Sequence, residues 1–130
     1  MPVVLTLLPS LLSLLAVLKR QLVKARFAAD VASDGAEALR LIKAAAEKGN
    51  RYAVVLMDLE MPVMDGLTAI KAIREMEARG ELTVRQTVYA LTGNARPAQI
   101  ENALSSGMDS VILKPYKLDN LLSKLRALEL

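Results

Sequence analysis

Five short apolar runs divide this chain, and apolar residues recur at helical spacing in the stretches between them. The runs fall at about residues 2–8, 27–32, 53–57, 87–91 and 111–113. The third and fifth are apolar throughout and lack an alternating polar face, the pattern of strands buried on both sides. The first intervening stretch, about Leu11 to Lys24, predicts a helix with Leu11, Leu14, Leu15, Leu18 and Leu22 on one broad face. A second helix starts after Asp34, a capping residue with Glu37 three positions on, and runs through Leu39 and Ile42 to about Lys48 before Gly49. The third spans Leu67 to Arg79 with Leu67, Ile70, Ile73 and Met76 at helical intervals, closed by Gly80. A fourth begins at Pro97 and stops near Gly107, and the last carries the stripe Leu118, Leu121, Leu122, Leu125 and Leu128. Strand and helix alternate five times, which predicts a parallel sheet covered by helices on both faces.

The first eighteen residues hold no charge, a length at the threshold for a membrane span. Pro9 and Ser10 break the run, no basic residue precedes it and no cleavage site follows, so it divides into a strand, a turn and a helix. No membrane association through this chain is expected. At 130 residues the chain fits one domain, read as residues 1–130 without linker or repeat.

The absence of Cys excludes disulfides and thiol chemistry, and the absence of His excludes imidazole bases and a phosphohistidine of the chain's own. The charge of +3 comes from seventeen Lys and Arg spread along the chain, and with three Tyr and one Phe there is little stacking surface. Nucleic acid is therefore not an expected partner. What chemistry there is must use carboxylates, hydroxyls, amines and backbone.

Three residues meet that requirement at equivalent positions. Asp58, Thr92 and Lys114 are each the first polar residue after a predicted strand, on the third, fourth and fifth strands. Neighbouring parallel strands bring their carboxyl ends together, and ligands of open α/β sheets bind at that edge. A carboxylate can accept a phosphoryl group while a hydroxyl and an ammonium bind its oxygens. Taken singly, each residue has a plain structural reading, as a loop cap, a strand end and a solvated lysine. Their coincidence on successive strands favours one shared site.

The segments that carry these residues, VVLMDLEMPVMDG, ALTGNA and ILKPY, together with VASDGAEAL and GMDSVILKPYKLDNLL, resemble the receiver domain of response regulators. The likeness is greatest to receivers fused to hybrid histidine kinases, and it extends from about Val17 to the end. It implies a flavodoxin-like (CheY-like) doubly wound five-stranded parallel sheet of order 2-1-3-4-5 with five helices. By the same resemblance Asp58 is the phosphoacceptor, Thr92 the switch hydroxyl, Lys114 the phosphate-pairing amine, and Asp58 and the Glu60 backbone carbonyl are ligands of magnesium. Asp65-Gly66 is a turn shaping the loop after Asp58. Val111 stands where many receivers carry a switch aromatic.

Receivers also place two adjacent acids after the first strand. Pro9 and Ser10 occupy those positions, and no Asp or Glu precedes Asp30. Magnesium is held through carboxylates and water, so its binding is expected to be weak. The resulting reading is a cytoplasmic phosphoacceptor signalling domain rather than an enzyme, taking a phosphoryl group from a histidine kinase or histidine phosphotransfer protein. The alternative is a pseudo-receiver that binds partners without phosphorylation. A third reading, an aspartyl-phosphate-type phosphatase, asks for a second acid two residues after the nucleophile, where this chain has Glu60 rather than Asp, and for a further acidic strand end beyond the lysine, which is missing.

Overall fold

The computed structural model describes residues 3–7, 20–24, 28–32, 34–59, 66–82, 84–93, 96–113 and 118–127. Five strands pair entirely in parallel: β1 (Val3–Leu7), β2 (Ala28–Ala32), β3 (Val54–Asp58), β4 (Val88–Thr92) and β5 (Ser110–Leu113). Their order is β2-β1-β3-β4-β5, as the resemblance implied. Helical residues 20–24 form α1, followed by α2 (Gly35–Glu47), α3 (Gly66–Ala78), α4 (Pro97–Ser105) and α5 (Leu118–Arg126). Most of the predicted first helix, the turn at Pro9-Ser10 and Phe27 lie outside the described residues.

The doubly wound arrangement follows from the two-residue period of a strand acting on a segment apolar at every position. All five residues of β3 are buried. Val55 and Met57 join one cluster with Ile42 of α2, Ile70, Ile73 and Met76 of α3, and Ala103 of α4. Val54 and Leu56, alternating with them, lie outside that cluster, as do the buried Leu22 of α1 and Leu121 and Leu125 of α5. Burial at every position of β3 means that both faces of this central strand are covered.

Helix starts and stops follow local chemistry. The Glu37 backbone N–H donates to Asp34 Oδ1 at 2.8 Å, satisfying one otherwise orphaned donor at the start of α2. Gly49, Gly80 and Gly107 all adopt positive φ just beyond helix ends, where a β-carbon would be strained. Among the described residues no helix is long and apolar enough to cross a membrane.

At two strands the carboxyl end differs from the sequence reading by one residue, and the shift matters. β3 and β4 do not end before Asp58 and Thr92 but include them, because ladder hydrogen bonds are made by backbone and continue past the last apolar side chain. Asp58 pairs in register with Leu91, Thr92 with Leu113, and the Leu59 N–H still donates to Leu91 O at 2.9 Å.

The amino edge of the sheet is tied by side chains. Buried Gln86 accepts from the Tyr52 N–H at 3.2 Å through Oε1 and donates through Nε2 to Tyr52 O and Thr87 O, joining the lead-ins of β3 and β4. The Tyr52 hydroxyl donates to Asp30 Oδ2 at 2.9 Å. Burial, then the hydrogen bond to Asp30, push the Tyr52 phenol up to about 12 from 10.0. The neutral phenol is thus favoured by folding, so its stabilising contribution is complete below pH 10 and is lost as pH rises through about 12. Urea unfolding of the wild type and of Tyr52→Phe tests this: the stability advantage of the wild type should shrink over that interval, and a parallel pH profile in both proteins would refute it.

Candidate functional site

The opposite, carboxyl edge of the sheet holds the candidate chemistry. Asp58 ends β3 and Thr92 ends β4, on neighbouring strands about 4.8 Å apart, with Thr92 one step beyond the register partner of Asp58. Both belong to the few buried polar residues, Asp58 with 1% and Thr92 with 2% of its surface exposed. Each is engaged by neighbouring groups. A buried carboxylate at a sheet edge is costly without such partners, which sets it apart from Glu47, Glu75, Glu101 and Asp119, exposed on the helices. The structure therefore brings two of the three sequence-predicted residues together. Lys114 follows Leu113 at the end of β5, but it lies outside the described residues, as do Glu60, Pro9 and Ser10. Val111, in the switch-aromatic position, is half-buried and packs against the apolar core.

What positions Asp58 is partly main chain and partly α3. The β4 ladder holds the following peptide through Leu59 N–H to Leu91 O. From the other side Gly66, the first residue of α3, sits so close that a β-carbon there would lie 3.0 Å from Asp58 O. Sequence reasoning found Gly66 only as a turn residue. The Asp-Gly pair signals a turn, but nothing in it signals contact with a backbone eight positions earlier.

Among the described residues, no group of three or more Asp, Glu, His or Cys side chains is placed to hold a metal ion. Magnesium binding relies on carboxylates, water and near-octahedral geometry. Of the residues expected to hold magnesium, Asp58 is the one among the described residues.

A surface cavity of about 160 Å³ lies away from these residues. Ile42, Ala46, Leu82 and Val84 supply its apolar lining, with Arg51 and Gln86 among its polar members. Gln86 leads into β4, so the cavity belongs to the amino edge, and it contains neither carboxylate nor hydroxyl. It is not the place where the strand-end chemistry converges.

The sheet order and the helices between its strands define a flavodoxin-like doubly wound fold, with a buried acid and hydroxyl at adjacent carboxyl ends. The family model described as the response regulator receiver domain matches residues 12–126, and the chain belongs to that family. It is 40% identical over 93 residues to two-component system protein A of Emericella nidulans, covering 72% of this chain and 12% of that protein. The chain spans at most 12% of the length of the first curated relatives it matches. Among solved structures, the Saccharomyces cerevisiae receiver domain of Ssk1, in complex with the histidine phosphotransfer protein Ypd1, matches with a TM-score of 0.82 and 26% identity, covering 95% of this chain and 86% of that one. The receiver domain of the Pseudomonas aeruginosa sensor histidine kinase PA1611, solved with magnesium in its active-site cleft, matches with a TM-score of 0.77 and 28% identity over 98% of this chain and 97% of that one. This chain is thus a receiver domain of the two-component phosphorelay type.

Proposed function

We propose that Asp58 is the phosphoacceptor and that its donor is a phosphohistidine on a histidine kinase or histidine phosphotransfer protein. The observation that carries this reading is the burial of Asp58 and Thr92 at the ends of two adjacent strands in a receiver fold. In the transfer, an Asp58 carboxylate oxygen forms the new O–P bond as the N–P bond of the donor breaks, and the imidazole nitrogen keeps the electron pair and takes up a proton. Thr92 and Lys114 bind the oxygens of the transferred group, and its added charge repositions Thr92 and the neighbouring α4 region. The absence of His is consistent with a donor on another domain or protein. The domain acts in the cytoplasm as a phosphoacceptor and not as an enzyme. Its magnesium binding is weak because Pro9 and Ser10 replace the acid pair. The same replacement favours a second reading, a pseudo-receiver that engages partners without phosphorylation.

Incubation with magnesium and a small phosphodonor, or with beryllofluoride, separates these readings by intact mass and amide NMR. One added phosphoryl group, abolished by Asp58→Asn, is the expected result. A folded protein that never takes up the label supports the pseudo-receiver, and steady release of phosphate supports a phosphatase.

A further inference from the structure

The start of α3 lies against the peptide that follows Asp58. Gly66 is buried, and a β-carbon on it would stand 2.7 Å from Leu59 Cδ2, 3.0 Å from Asp58 O and 3.0 Å from Leu59 Cα. The first of these neighbours is the tip of a flexible side chain and can swing away. The other two are main-chain atoms on either side of one planar peptide bond, which does not bend to make room. That peptide is also fixed from the far side, where the Leu59 N–H donates to Leu91 O of β4 at 2.9 Å. A side chain at position 66 therefore displaces the contact by a few tenths of an ångström: the Asp58 main chain tilts, Leu59 strains its bond to the β4 ladder, or the start of α3 moves back.

We infer that Gly66 is a positioning residue for Asp58: its bare α-carbon lets α3 begin in contact with the Asp58–Leu59 peptide, and this contact holds the carboxylate in the single orientation from which it attacks. The inference rests on Asp58 being the phosphoacceptor. It concerns backbone placement and not turn formation, since residue 66 is the first position of the helix and its φ is not positive. Small misplacements of a reacting group have large effects, with about 1 Å corresponding to roughly a hundredfold in rate.

The test compares the wild-type chain with Gly66→Ala, Leu59→Ala and the double variant. Unfolding by urea, the rate of Asp58 labelling by phosphoramidate, and the pH titration of the Asp58 carboxyl carbon by NMR are followed in each. Leu59→Ala removes the 2.7 Å contact but leaves both 3.0 Å main-chain contacts. The stability losses of the two single variants should accordingly add to more than that of the double variant. Labelling should stay roughly 3- to 10-fold slow in both proteins that carry the Gly66→Ala substitution, as a displacement of a few tenths of an ångström implies, and the Asp58 resonance should be displaced in both. Recovery of the labelling rate together with stability in the double variant would overturn the inference. So would a wild-type rate and an unmoved Asp58 resonance in Gly66→Ala. If the wild type itself is folded but not labelled, the phosphoacceptor reading fails while the resonance still reports whether Gly66 sets the Asp58 geometry: a shift keeps the backbone role, and its absence ends it.

Discussion

Arg74→Ala is expected to lower the unfolding free energy by about 3 kcal/mol, a change of more than a hundredfold in the folding equilibrium, read from urea denaturation. The Arg74 side chain retains 15% of its exposure, and its guanidinium spans four partners on three segments. Nε and Nη2 donate to Gly107 O at 3.0 and 2.8 Å, and Nη1 donates to Gln86 O at 2.8 Å. Nη1 also contacts both Glu77 carboxylate oxygens, and Nη2 reaches Asp109 Oδ2 at 3.0 Å. Removing the cation leaves two carbonyls short of a donor and strips a charge from two carboxylates. The figure sits at the low end for a broken buried pair because Glu77 and Asp109 keep 14% and 27% exposure and have other donors. Glu77 still accepts from the Gln86 N–H, and Asp109 from Arg85 and the Val88 N–H. Arg74→Lys should recover little of the loss, since an ammonium has no planar fork to serve Gly107 O twice. A loss of only a few tenths of a kcal/mol would show that the network is an ordinary surface cluster.

The second large effect concerns the metal. Replacing Pro9 and Ser10 by Asp together is expected to raise magnesium affinity on the order of 100-fold, because even indirect supports of a metal site contribute roughly 10- to 100-fold and a ligating carboxylate contributes at least as much. Amide NMR titration with magnesium chloride reads this, with Asp58→Asn in the doubly substituted chain as the control that removes the gain. Equal affinities before and after substitution would mean that the acid pair is not what limits the site, and the proposed cause of weak binding would fall.

Much of the architecture was legible because it rests on periodicity and short-range chemistry. The uninterrupted AVVLM run announced a central strand, and Asp34 with Glu37 announced a helix start whose capping bond is present. Ile70, Ile73 and Met76 marked the buried side of α3 correctly. Asp58 and Thr92 were found because a polar residue ending an apolar run is unusual, and both are buried at one edge. The boundary of β3 was placed one residue short because side-chain polarity does not report how far a backbone ladder continues. Arg74 was missed for another reason. Its pairing with Glu77 is a neighbour relation along a helix, but its bond to Asp109 closes 35 residues and is set by which loops the fold brings together. Gly66 was seen as a turn signal only, since close approach between two backbones leaves no mark on composition.

The two edges of the sheet carry separate duties. Side chains that lock the strands together, Gln86, Arg74, Asp109 and Tyr52, are gathered at the amino edge, while Asp58 and Thr92 stand at the other. A lineage can therefore alter the loops after its strands without loosening the strands themselves. Under the proposed reading, an exchange of the acid pair for Pro9 and Ser10 is a change that such a division tolerates, because what the domain binds is altered while the scaffold for new recognition stays intact.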